Sequence, residues 1–78
     1  MNMQISDENL ISTVSQSLDV PPERLSLASS RDSVEEWDSL GHIMLMLAVE
    51  REFGRKLRFE QIEQIQSIQD LKDALASS

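Results

Sequence analysis

Apolar residues recur at helical spacing in several stretches of this chain, separated by one long polar segment without a pattern. Leu10, Ile11, Val14 and Leu18 fall on one face of a first helix. Ser6 can cap its start, and Asp7 and Glu8 lie in its first turn, where negative charge suits the helix dipole. Asp19 to Pro22 should stop it, because proline cannot supply the next helical hydrogen bond. From Val20 to Glu36 no periodicity is sustained. Val20, Leu25, Leu27 and Val34 are isolated apolar residues expected to pin a structureless loop to the core, with a short turn over Ser33–Glu36. So long a loop in a compact domain is usually functional or disordered.

Leu40 to Phe53 predicts the central helix, which carries two apolar stripes. Leu40, Ile43, Met44 and Leu47 form one, and Leu45, Met46, Val49 and Phe53 the other. A helix surrounded by others buries both. Few segments remain here to cover both sides, so one stripe is expected to stay partly exposed. Gly54 suits the helix end. Phe59, Ile62 and Ile65 suggest a short third helix. Ser67 and Asp70 match a capping box with aspartate in the glutamate position, opening a last helix with Ile68, Leu71, Ala74 and Leu75 on its apolar face. Ala76-Ser77-Ser78 should fray. The fold class is all-α: a small bundle of three to four helices with a long loop between the first and second. Its expected core is Leu10, Ile11, Val14, Leu18, Leu45, Val49, Phe53, Ile62, Ile65, Ile68, Leu71 and Leu75.

Composition narrows the function. Seventy-eight residues make a single domain, 1–78, with no room for a large buried active-site cavity. The formal charge of −7 argues against nucleic acid and for basic protein surfaces as partners. With no cysteine, neither a disulfide framework nor a thiolate metal site can form, and any thiol chemistry must come from an attached group. No apolar run could span a bilayer, and Met1-Asn2-Met3-Gln4 lacks a signal-peptide pattern. The expectation is a cytoplasmic, monomeric, free-standing chain. Arg55-Lys56-Leu57-Arg58 is read as a solvated basic link, favourable near a helix C-terminus.

Candidate chemistry concentrates in Glu36-Trp37-Asp38-Ser39-Leu40-Gly41-His42, where the polar loop meets the central helix. Asp38 or Ser39 would be the N-cap, so the serine hydroxyl lies at the positive end of a helix, where an attached phosphate is favoured. Ser39 and His42 are three apart and can meet, which is raw material for a hydrolase. Against this, Asp38 is adjacent to Ser39 and badly placed to orient His42, and no glycine-rich oxyanion loop is present. His42 is read as a satisfied helix residue. One histidine without cysteine makes no metal site.

The Asp38-Ser39-Leu40 triplet, following a long loop and opening an apolar helix in a small acidic helical protein, resembles the attachment site of acyl carrier proteins. The helix end Glu50-Arg51-Glu52-Phe53-Gly54 resembles the end of that family's second helix, and the likeness covers essentially the whole chain. The resemblance implies a non-catalytic carrier. Ser39, within a motif completed by Asp38 and Leu40, would carry 4′-phosphopantetheine, transferred from coenzyme A by a phosphopantetheinyl transferase. Acyl cargo would ride as a thioester between a loading ligase and acyltransferase or synthase partners of lipid, fatty-acid or specialised acyl biosynthesis. Leu40, Ile43, Met44, Leu47 and Glu50 would form the partner face. Met44 and Met46 suit an adaptable lining or ordinary core filling. Fatty-acid synthesis carriers usually have acids where this chain has Gly41, Met44 and Arg51, and a small residue where it has Trp37. The departures suggest a specialised member, with Gly41 leaving room beside the arm. Gly41 also resembles the D-alanyl carriers, making an aminoacyl cargo the main alternative. An unmodified helical adaptor is a third reading.

Overall fold

The computed structural model describes residues 5–77. The Met1–Gln4 segment and Ser78, on which the leader and fraying expectations partly fall, lie outside the described residues. Four helices follow in order: α1 (Asp7–Leu18), α2 (Ser39–Phe53), α3 (Phe59–Gln64) and α4 (Ile68–Ser77), with a 3-10 turn over Pro22–Arg24. Among the described residues there is no strand, only an isolated bridge between Ser30 and Ser67.

The start of α1 is capped by Ser6, whose Oγ accepts from the Asn9 N–H at 3.0 Å. Its end is set before the prolines. Asp19 adopts the left-handed conformation (φ 59°), and Ser15 gathers the departing chain: its carbonyl accepts from Val20 N–H and its hydroxyl donates to the Val20 carbonyl. Aspartate is among the few residues that tolerate this conformation. Leu10, Val14 and Leu18 are buried, but Ile11 is only partly so. α1 is covered along one stripe, and Ile11 lies at its margin, in a groove shared with Pro22 and Leu25.

The segment between α1 and α2 is built, not structureless. Ser26 and Ser29 bond one another across a tight turn, as do Ser30 and Ser33, each hydroxyl accepting a backbone N–H. The segment is then tied to the start of α4. Gln69 N–H donates to the Leu27 carbonyl, Ile68 N–H to Ser29, and Arg31 N–H to Gln66. Orphan donors of the α4 N-terminus are thereby satisfied by the loop's own carbonyls. Serine side chains hold such turns locally without any hydrophobic period. Val20, Leu25 and Val34 are buried as expected, and so is Trp37, which the sequence-based core omits.

α2 splits its two stripes. Leu45, Met46, Val49 and Phe53 are buried, whereas Leu40, Ile43, Met44 and Leu47 are 53–71% exposed. The buried stripe meets Leu10 and Val14 of α1, Ile68, Leu71 and Leu75 of α4, and Trp37 and Leu57 from the links in one core. Gly54 ends α2 in the left-handed conformation (φ 64°). Ile62, expected in the core, is only partly buried, and Phe59 is 68% exposed. The six-residue α3 is too short to turn more than one side inward. Arg55 is no mere solvated link: its Nη1 donates to the Leu75 carbonyl, anchoring the last turn of α4. Ser67 caps α4 through Asp70 N–H, but Asp70 reaches back past the cap to Gln66 N–H, one residue beyond the Ser67 N–H of a strict capping box. Ala76 and Ser77 remain within α4.

Candidate functional site at the N-terminus of α2

Asp38 is the N-cap of α2. Its Oδ1 accepts from Gly41 N–H at 2.7 Å, and its carbonyl accepts from His42 N–H at 2.8 Å. Ser39 is the first helical residue and is exposed. Helix geometry leaves the first-turn amides of Ser39 and Leu40 without intrahelical acceptors, so this end favours negative charge.

Gly41 faces inward. A Cβ here would meet the Glu36 carbonyl at 2.6 Å, Asp38 Oδ1 at 3.1 Å and a Leu18 methyl at 3.2 Å. The glycine lets the incoming loop lie directly on α2. It leaves no space for a partner, contrary to the expectation from sequence.

His42 is 5% exposed and engages both ring nitrogens. Trp37 Nε1–H can only donate, so Nδ1 accepts from it at 2.9 Å, and the ring hydrogen on Nε2 is donated to the Ile62 carbonyl at 2.8 Å. This assigns the neutral Nε2–H tautomer. Burial holds the imidazole below its ordinary pKa, the bond to Ile62 partly opposes this, and the nearby Arg31 charge lowers it further. An imidazole so engaged is not available as a base for Ser39, which removes the hydrolase reading. Instead it stitches together the loop, α2 and α3. Trp37 beside a histidine five residues on was the sequence signal for this contact; the pairing depends on the loop's path.

Next to Ser39, a groove of about 300 Å³ opens between α2 and α3. Ile43, Phe59 and Ile62 form its apolar walls, and Arg31 and Glu63 are its charged members. Neither Arg31 nor the outward Phe59 is recognisable from sequence as part of this site, because loop and α3 come together only in the fold. The exposed stripe Leu40, Ile43, Met44 and Leu47 continues from the same helix end. Met46 belongs to the core, so Met44 alone of that pair faces outward. Glu50, expected to flank the stripe, turns its Oε2 to accept from Leu57 N–H at 2.9 Å, which commits that oxygen to the α2–α3 link.

One protein-family model, described as a phosphopantetheine attachment site, matches residues 8–75. The chain belongs to that family, and with its helical fold it is a phosphopantetheine-carrying carrier protein of acyl-carrier type. The family carries covalently attached 4′-phosphopantetheine. A comparison with curated proteins finds no match. The α2 terminus fits the group: it offers an exposed serine, first-turn amides that helix geometry leaves without intrahelical acceptors, and an adjoining groove lined in part by Arg31. No described helix is long and apolar enough to cross a membrane.

Proposed function

We propose that Ser39 is the attachment residue and that this chain, as one carrier domain over residues 1–78, presents acyl intermediates to partner enzymes. The observation that carries the reading is the exposed Ser39 on the first turn of α2, directly after the Asp38 cap. The attached group supplies a terminal thiol on a flexible tether, which holds cargo as a thioester. Asp38 fixes the helix start and so the direction of the hydroxyl. In the modification, Ser39 Oγ would bond to the pantetheine-bearing phosphorus of coenzyme A, the pyrophosphate P–O bond would break with adenosine 3′,5′-bisphosphate as the leaving group, and the serine proton would pass to a base of the transferase. His42 cannot be that base, because both of its nitrogens are engaged. The domain performs no bond-making of its own. Tethering raises the effective concentration of cargo at each docked enzyme.

The exposed stripe Leu40, Ile43, Met44 and Leu47 is the proposed docking face for the transferase, a loading ligase and acyltransferase or synthase partners. Asp38 lies at one end and Glu50 at the other. The apolar groove walls support an acyl cargo over an aminoacyl one. Gly41, the feature shared with D-alanyl carriers, is accounted for by its contact with Glu36. The cytoplasm, where coenzyme A is at hand, is the compartment this reading requires.

Coexpression with a broad phosphopantetheinyl transferase, followed by intact-mass measurement, tests the assignment. The wild-type chain should gain one phosphopantetheine group. Ser39→Ala should gain none while keeping its helical circular dichroism. A fully modified Ser39→Ala overturns the assignment, and a wild-type chain that stays unmodified favours the helical-adaptor reading.

A further inference from the structure

Arg31 is held in place by its backbone. Its N–H donates to the Gln66 carbonyl at 2.9 Å, beside the Ser30–Ser67 bridge that joins the loop to α4. Its side chain is another matter. Ion pairs form between Arg24 and Glu36 and between Lys72 and Asp7, and among the described residues neither an ion pair nor a hydrogen bond engages the Arg31 guanidinium. The half-buried Arg31 instead borders the groove that opens at Ser39. His42, one turn into α2, lines the same groove.

Given attachment at Ser39, on which this inference rests, we propose that Arg31 binds the phosphodiester of the attached group and holds the resting arm in the α2–α3 groove, against Ile43 and Phe59. The occupant is specified by chemistry. A guanidinium presents a planar fork of N–H donors that matches two phosphate oxygens, a stronger pairing than a lysine point charge could make. The phosphate would be tethered to Ser39, on the same groove, so no separate binding event is needed. Beyond the phosphate, the dimethyl and methylene portions of a pantetheine meet apolar walls. Phe59 in particular is 68% exposed with no apolar cover, and an arm lying along the groove would supply it. The opposing charge, Glu63, lies in the same groove, and an Arg31–Glu63 pair is the competing arrangement. Arg31 is therefore a positioning residue. It would retain the arm between visits and release it when a partner's own cation takes the phosphate.

The test uses the full chain, modified by a transferase and confirmed by intact mass, as wild type, Arg31→Ala and Arg31→Lys. Phosphorus NMR reads the phosphodiester, and nuclear Overhauser effects read the proximity of the arm's methyl groups to the Phe59 ring. In wild type, the phosphorus resonance should move on raising the salt concentration, and arm-to-Phe59 effects should be present. Arg31→Ala should lose both, while amide resonances away from the groove stay unchanged. Arg31→Lys should retain the salt response but show weakened arm-to-Phe59 effects. Fully modified wild type and Arg31→Ala with the same phosphorus shift, salt response and Phe59 contacts overturn the inference alone. Arm-to-Phe59 effects absent from wild type, with Arg31 bound to Glu63, also overturn it. Failure of the wild-type chain to take up the group overturns the attachment reading and this inference with it.

Discussion

His42 and Gly41 carry consequences out of proportion to their size. The neutral His42 accepts from Trp37 and donates to Ile62, whereas a protonated ring would turn a donor towards the Trp37 N–H and break that bond. Its folded-state pKa is depressed, so the unfolded chain binds the proton more readily. Its stabilising contribution is complete above the unfolded value of about 6.5 and is lost as pH falls through the lower folded value. Urea midpoints at pH 7.5 and 5.5, followed by emission of the single Trp37, should fall on acidification in wild type. His42→Gln should show a smaller fall across the same interval, after an initial cost of about 1–3 kcal/mol from its lost hydrogen bonds. An equal fall in both would show that His42 is not the group responsible. Gly41→Ala sets two effects against each other. Alanine favours a helix by about 1 kcal/mol over glycine. Its Cβ, however, would press on the Glu36 carbonyl, a backbone atom beside the buried Trp37, and overpacking of that kind costs about 1–3 kcal/mol. The expected outcome is net destabilisation in chemical denaturation, with a red-shifted Trp37 emission as the loop lifts.

At the scale of the element, α2 is apolar on two faces, and only one of them holds the fold together. Leu45 has no exposed surface and belongs to the core shared with residues of α1 and α4, whereas Ile43, two residues earlier, is 54% exposed. Leu45→Ala should cost about 2–5 kcal/mol, a large share of the stability of so small a domain. Ile43→Ala should stay within about 0.5 kcal/mol, as exposed substitutions do. Denaturation of the two variants side by side measures the asymmetry directly, and comparable losses would contradict it. The loop before α2 is an element in its own right. Its serine turns and its bonds to the start of α4 give it a fixed path, which holds Trp37 under α2 and Arg31 at the groove.

For the whole molecule, the proposed function joins the exposed stripe, the exposed Ser39 and the acidic balance in one act of docking. An apolar stripe at i, i+3, i+4, i+7 gives a partner a continuous surface, and flanking acids act mainly on the association rate. Met44→Glu places a charge in the middle of that surface. In steady-state kinetics of the modified protein with its cognate enzyme, kcat/KM should fall by about tenfold for a loss near 1.4 kcal/mol. Ile43→Ala should lower it less, and enzymes of fatty-acid synthesis should use Met44→Glu better than wild type. Unchanged kinetics for both variants would remove the stripe from the docking face.

Periodicity alone was enough for the four helices, the Ser6 cap, the Gly54 stop and most of the core, because these depend on residues within one or two turns of each other. The start of α2 was legible to within Asp38 or Ser39 for the same reason, and the fold chose Asp38; the family was legible from the resemblance of the Asp38-Ser39-Leu40 triplet and its setting. The sequence also assigned the Leu45, Val49 and Phe53 side of α2 to the core and the Leu40, Ile43, Met44 and Leu47 side to the surface, and the fold has them so, because too few other segments exist to cover both stripes. The partial exposure of Ile11 and Ile62, the burial of Trp37 and the inward Gly41 were decided by neighbours distant in the chain. His42 found its partners one in the loop and one in α3, twenty residues away. Arg31 met the groove only because the loop is bonded to α4. Hydrogen bonds and packing between distant segments leave no local period, so the tertiary structure alone determined the surroundings of Ser39.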